Sequence, residues 1–204
     1  MINIAITQRL TSMYDGQEIR ESLDIRWYDF IQSCGFCLVP ISVKRDIPQF
    51  LQKTKISGIV LSGGNDLFAV NPEKVNYMRD TFEKNLLREA IKSNIPVIGV
   101  CRGMQLINDF FAGTLQKVED HVGTTHKICC NNSTRLVNSF HNYALKDIPE
   151  DFIPDFRADD GVIEAFHHKN KNIYAVMWHP EREKTFKRED IALFQKIFKK
   201  EESK

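Results

Sequence analysis

Short apolar runs alternate with amphipathic stretches along the first half of the chain. Residues 2–7, 36–41, 56–61 and 96–100 are almost continuously hydrophobic and rich in β-branched side chains, the pattern of strands covered on both faces of a sheet. Between the first two, Leu23, Trp27, Phe30, Ile31 and Cys34 fall on one helical stripe that Gly35 closes at a C′ position. A second stripe of Met78, Phe82, Leu86 and Ala90 advances in four-residue steps and stops before Asn94-Ile95-Pro96. This order of elements predicts βαβ units around a parallel sheet.

Beyond Gly113 the pattern shortens. Residues 134–138 and 161–165 read as brief strands between Asn, Asp, Gly and Pro signals, and residues 173–178 as one more buried strand. A final helix buries Ile191, Phe194, Ile197 and Phe198, and the charged tail 199–204 is expected to fray. The segment 112–128, with its Gly, Thr and His, is expected to form a lid or rim. No repeat or linker divides the sequence, so residues 1–204 are expected to form a single domain.

Charge narrows the function. Lys and Arg number 28 against 27 Asp and Glu, a net charge of +1, which argues against a nucleic-acid or anionic-membrane partner. Apolar residues at 42% and charged ones at 27% are ordinary for a globular protein with its own core. Five cysteines, an odd number, and an N-terminus without a basic then apolar leader predict a cytoplasmic location. No apolar run approaches the ~20 residues needed to cross a bilayer.

The candidate chemistry sits where strands end. At 97–107 an apolar run passes into Gly99-Val100-Cys101-Arg102-Gly103 and then a helical pattern, the nucleophile-elbow layout with Cys in place of Ser. The following helix points its positive end at the thiol and favours the thiolate. Taken alone, Cys101 could equally be a buried small hydrophobe. Trp178-His179-Pro180-Glu181 ends another strand; the extended residue before Pro and the two-residue strand period predict His179 and Glu181 on one side, a carboxylate orienting an imidazole. Its plain alternative is a solvated strand end. Ser62-Gly63-Gly64-Asn65 ends a third strand with amides free to approach a ligand, or forms a simple turn.

Taken in order, Ser-Gly-Gly-Asn-Asp, Gly-Val-Cys-Arg-Gly-Met-Gln, Val-Asn-Ser-Phe-His-Asn, Asp-Asp-Gly-Val-Ile-Glu-Ala and Trp-His-Pro-Glu resemble the class I glutamine amidotransferases, and within them the peptidase C26 branch of free-standing γ-glutamyl hydrolases. The resemblance implies an α/β fold: a flavodoxin-like, doubly wound, mostly parallel sheet flanked by helices, with a smaller antiparallel β portion. It implies a catalytic triad with Cys101 as nucleophile, His179 as general base and then acid, and Glu181 as the orienting carboxylate. The backbone amides of Gly64 and Arg102 would form the oxyanion hole. Gly63, Gln105, Asn138, Ser139, Phe140 and His141 would hold the glutamyl moiety, although Gln105 could cap a surface and Asn138-Ser139 could be a turn. It implies no cofactor and no metal.

The leaving group stays open. Ammonia would make glutamine the substrate, with a separate synthase partner receiving it, since 204 residues leave no room for a synthase with its own ATP site. A larger amine or amidate would make the protein a free-standing hydrolase. Asn142-Tyr143 stand where that branch commonly has a small residue and Gln, which leaves the small-molecule substrate undetermined. The N-terminal stretch resembles a bacterial subgroup from surface-polysaccharide (capsule) pathways, whose amidate leaving group carries a nucleoside diphosphate. Arg9, His126 and Arg182 would then meet the diphosphate; for each, a solvated charge or surface ion pair is the plainer reading. A binding module that kept the fold and lost catalysis is a further alternative.

Other reactive side chains receive ordinary roles. Cys34 and Cys37 have metal-like spacing, but each belongs to an apolar pattern, and Cys129-Cys130 offers no matching knuckle. His121, His126, His141, His167 and His168 show no ligand spacing and are assigned to surface or pocket positions, His141 to ligand contact. Trp27 is assigned to the helix core, and Trp178 to a wall of the active site.

Overall fold

The computed structural model describes residues 2–130 and 133–199, so all but the first residue of the charged tail lies outside the described residues. In chain order the elements are β1 (Asn3–Ile6), β2 (Arg9–Met13), β3 (Glu18–Ser22), α1 (Arg26–Ser33), β4 (Cys37–Pro40), α2 (Ile47–Lys53), β5 (Ile56–Leu61), α3 (Lys74–Lys92) and β6 (Val97–Val100). There follow α4 (Arg102–Phe110), β7 (Thr114–Lys117), β8 (Val122–Cys130), β9 (Ser133–Phe140), β10 (Tyr143–Asp147), β11 (Phe152–Ala158), β12 (Ile163–His168), β13 (Ile173–Val176) and α5 (Arg188–Phe198).

Nine strands form one mixed sheet in the order β4-β1-β5-β6-β13-β12-β11-β8-β9. The first five are mutually parallel, and the remaining pairings are antiparallel. Ile4, Ala5, Ile6, Ile59, Val60, Leu61, Val97, Ile98 and Val100 are fully buried, as strands covered on both faces must be. Two small antiparallel pairs, β2–β3 and β7–β10, complete the fold. This is the expected helix-flanked, mostly parallel sheet with added antiparallel parts.

Local signals explain the helices. Gly35, at φ +83, ends α1, whose Trp27, Phe30 and Ile31 are buried; Leu23 lies before the helix. Asp46 caps α2 by accepting from the Gln49 amide at 2.8 Å, with Pro48 in the first turn. In α3 the expected stripe packs inward at Phe82, Leu86 and Ala90, while Met78 is half-buried. A second, charged row beside it, Arg79 and Glu83, is fully buried as well.

The segment 112–128 departs from its expected lid or rim. It supplies β7 and most of β8, because β8 finds a long antiparallel partner in β9, with pairs from Val122↔Phe140 to Cys130↔Ser133. Of the two cysteines assigned to core packing, Cys34 is buried in the core, where burial pushes its thiol up to about 12, while Cys37 is half-buried in β4. Trp178 is corrected: it is buried in the core, donates its indole N–H to Asp190 at 3.0 Å and lies under Arg135, and so walls no cleft.

Candidate active site

The parallel strands deliver their ends to one place. β6 runs directly into α4, and Cys101 at the junction takes φ 52 and ψ −104, a conformation that costs a non-glycine residue ~1–3 kcal/mol. The junction is held by the Cys101 amide donating to Val176 of β13 at 2.8 Å and by the Gln105 amide donating to the Cys101 carbonyl at 3.1 Å. Gly103 lets α4 cross β5 closely, since any Cβ there would run into the carbonyl oxygen of Leu61.

His179 follows β13 and is almost completely buried. Its Nδ1 lies 2.7 Å from Glu181 Oε1, and the ring shares a cleft wall with Cys101. Burial works against a charged ring here. The charges of Cys101 and Glu181, with the Glu181 hydrogen bond, outweigh it and lift the imidazole to about 9. Strand alternation predicts that His179 and Glu181 meet, and they do, but β13 ends at Val176 and Glu181 stands in a 3-10 turn, Pro180–Arg182. Arg26 of α1 steadies that turn, donating to the carbonyl of Arg182 at 2.8 Å and to that of Glu183.

Gly63 makes room for the ring, because a Cβ there would lie 2.6 Å from His179 Cε1. Gly64 has φ +85, and its amide and that of Arg102 find no partner among the described residues. Gly64 and Arg102 line the same cleft as Cys101.

The other expected residues divide into two groups. Gln105, Phe140, His141, Arg9 and Arg182 line the clefts beside Cys101. Gln105 donates to the Tyr143 carbonyl at 2.9 Å, and Phe140 lies edge-on to His179 at 5.9 Å with the Arg182 guanidinium above it at 4.8 Å. Asn138 and Ser139, by contrast, spend their side chains on the protein. Asn138 accepts from the His179 amide at 2.9 Å and donates to the His179 carbonyl at 2.8 Å and to Glu183 at 3.0 Å. Ser139 is buried and donates to the His121 carbonyl at 2.6 Å. His126 lines neither cleft and packs 4.1 Å from the ring of His121. His121, His126 and His141, scattered along the sequence, are brought together by β8 and β9.

A buried ion network was not legible as part of the site. Arg79 pairs with Glu83 at 2.9 Å and donates to Ser62 O at 2.8 Å and to Asn65 Oδ1 at 3.1 Å. Arg102 pairs with both Glu83 and Asp80. Asn65 in turn exchanges two hydrogen bonds with the Leu10 backbone, at 3.0 and 2.9 Å. One charge cluster thus fixes the glycine loop, the start of α4 and the strand carrying Arg9.

Two adjoining clefts of about 270 Å³ each open over this centre. One holds Cys101, Gln105, Phe140 and His141; the other reaches Trp27, Leu23 and Asp24. Arg9, Gly64, His179 and Arg182 line both. A larger groove of about 540 Å³ between α2 and α3 shares no residue with either.

Comparison with known proteins agrees with this layout. The family model for glutamine amidotransferase class-I matches residues 29–200. The chain belongs to the class I glutamine amidotransferase family. Within it, the chain is 36% identical over 183 residues to γ-glutamyl-CDP-amidate hydrolase of Campylobacter jejuni, covering 88% of this chain and 90% of that one. It is 30% identical over 145 residues to a glutamine-hydrolysing GMP synthase subunit from Methanococcus maripaludis, covering 66% and 69%. The fold matches, at TM-score 0.74 and 19% identity, a Thermoplasma acidophilum protein provisionally assigned as one GMP synthase subunit, over 97% of this chain and 92% of that one. Among the described residues, no helix of this family member is long and apolar enough to cross a membrane.

Proposed function

We propose that this amidotransferase-family protein is a cysteine-dependent γ-glutamyl hydrolase, acting on γ-glutamyl-CDP-amidate to release glutamate and cytidine diphosphoramidate. The observation that carries the reading is the shared cleft wall: His179 lines both lobes, with Cys101 in one and Glu181 in the other, and Arg9 and Arg182 border both. The relative from Campylobacter jejuni supports the choice of substrate.

The γ-glutamyl group occupies the lobe of Cys101, Gln105 and His141. The thiolate attacks the γ-carbonyl carbon, and the oxyanion is received by the amides of Gly64 and Arg102. His179, charged and held by Glu181, gives its proton to the departing nitrogen as the C–N bond breaks. A γ-glutamyl thioester remains on Cys101. Water then enters, His179 takes its proton, and collapse of the second tetrahedral species frees glutamate and restores the thiolate–imidazolium pair. The amidate leaves through the second lobe, where the two guanidinium groups match the charge of a diphosphate.

Glutamate release tests the reading, with γ-glutamyl-CDP-amidate, simple γ-glutamyl amides and glutamine compared on the wild type and on Cys101→Ala. Turnover of the amidate at least ~100-fold above glutamine, abolished in Cys101→Ala, is expected. The similarity to one GMP synthase component supports a second reading, a glutaminase that passes ammonia to a synthase. Hydrolysis of glutamine alone, rising when a synthase is added, would replace the first reading with the second.

A further inference from the structure

Behind the wall of the catalytic cleft, three imidazoles and a carboxylate converge. Glu164 on β12 is fully buried, and neither of its carboxylate oxygens has a hydrogen-bond donor among the described residues. A carboxylate in such a place is strongly unfavourable without a compensating positive charge. His141 Nε2 lies 3.3 Å from Glu164 Oε1, and His121 Nδ1 lies 3.9 Å from it. His126 Nε2 is also buried and has no hydrogen-bond partner among the described residues. The ligand atoms of all four residues lie within 4.8 Å of one another.

The outer contacts fix which nitrogens face inward. His121 Nε2 stands 2.7 Å from Asp160 Oδ2, and His141 Nδ1 stands 3.1 Å from the Tyr143 carbonyl. Both partners only accept, so each ring donates outward, and in its neutral form turns a lone pair toward the cluster. These inward nitrogens are 3.3 Å apart. With both rings neutral, these electron pairs face the Glu164 carboxylate and the buried Nε2 of His126. A carboxylate behind one ring and a backbone carbonyl behind another are the supports that orient metal-bound histidines.

We infer that His121, His126, His141 and Glu164 bind a divalent transition-metal ion of the zinc type in a closed, four-ligand structural site. Zinc bonds of ~2.1 Å in a tetrahedron place the ligand atoms about 3.4 Å apart, and the His121–His141 and His141–Glu164 atom pairs already stand at 3.3 Å. The ligands come from just before β8, from β8, from just after β9 and from β12, so the ion ties together strands that the sequence brings from afar. Its effect on the cleft is positional: His141 lines the lobe of Cys101, and the preceding Phe140 packs on His179. The inference does not depend on the γ-glutamyl reading.

Elemental analysis of the full-length protein tests it, after chelator stripping, loading with Zn²⁺ and desalting. About one zinc per chain is expected in the wild type and in Cys101→Ala, falling below about a tenth in His126→Ala and in Glu164→Gln. Zinc should also raise the thermal midpoint of the stripped wild type. Loaded instead with Co²⁺, the wild type should show tetrahedral ligand-field bands without thiolate charge transfer. Uptake below about a tenth of an ion per chain by the wild type would overturn the site. So would a thiolate charge-transfer band, which places the ion on a cysteine and needs no variant to be folded.

Discussion

Asn138 grips the peptide backbone of His179 on both sides, accepting from its N–H at 2.9 Å and donating to its carbonyl at 2.8 Å. The clamp reaches across 41 residues, from β9 to the turn after β13. It fixes the imidazole where Glu181 can hold Nδ1 and the opposite nitrogen can serve Cys101. Asn138→Ala should therefore lower kcat by roughly 100-fold with little change in KM, because the ring loses its placement and not its chemistry. Steady-state glutamate release checks this; an equal rise in KM at unchanged kcat would return Asn138 to substrate binding.

Gly63 and Gly103 separate a catalytic fault from a folding fault. In Gly63→Ala the three atoms nearest the new methyl all belong to the His179 ring, the closest at 2.6 Å, so the ring shifts, and activity should fall roughly 100-fold in a folded protein. In Gly103→Ala the methyl meets the Leu61 carbonyl, where backbone must move, and stability should drop by about 3 kcal/mol or more. Circular-dichroism melts alongside activity assays distinguish the two.

The pH profile should carry the signature of His179. Its folded value of about 9 lies above that of a free imidazole, near 6.5, so the charged ring persists through neutral pH and is lost as pH rises through about 9. Loss of the proton donor should make kcat/KM fall on that alkaline side. The stability gained from the charged ring has the same sign: fully present below about 6.5 and lost as pH rises through about 9. Glu181→Gln removes one of the groups that raise the ring, so its alkaline limb should move toward neutral pH. An unmoved limb would mean that another group controls it.

The Arg79–Glu83–Arg102 cluster should be costly to break. Glu83 faces two buried guanidinium groups, and their charges, acting against its own burial, hold its carboxylate below the usual range. Glu83→Ala leaves both cations without this shared partner and should destabilise the protein by about 3–5 kcal/mol in denaturant titration. A loss under about 1 kcal/mol would show that Asp80 alone satisfies Arg102.

The parallel core was legible because its strands are apolar on both faces, and the elbow because Gly99-Val100-Cys101-Arg102-Gly103 follows one of them directly. What stayed hidden depends on contacts between distant segments. Arg79 and Glu83 have the four-residue spacing of a surface ion pair, and only the crossing of α3 over the glycine loop and α4 buries them. For Asn138 the resemblance implies substrate contact, and its clamp on the His179 backbone, 41 residues away, has no signal in the local sequence. The histidines lacked ligand spacing in the sequence for the same reason: β8 and β9 pair in register, His121 and His141 flank that hairpin, and β12 brings Glu164 to them. The two-residue spacing of His179 and Glu181 predicts that they meet, yet the device that joins them is a 3-10 turn beginning at Pro180.

The central claim is that Cys101 carries the γ-glutamyl group during turnover. Acid quenching of the wild type during turnover of γ-glutamyl-CDP-amidate, followed by peptide mass spectrometry, tests it most directly. One glutamyl acyl group is predicted on the peptide containing Cys101, accumulating further in Glu181→Gln if hydrolysis of the thioester slows, and absent in Cys101→Ala. Turnover that proceeds in Cys101→Ala, or an acyl group found on another residue, would contradict it.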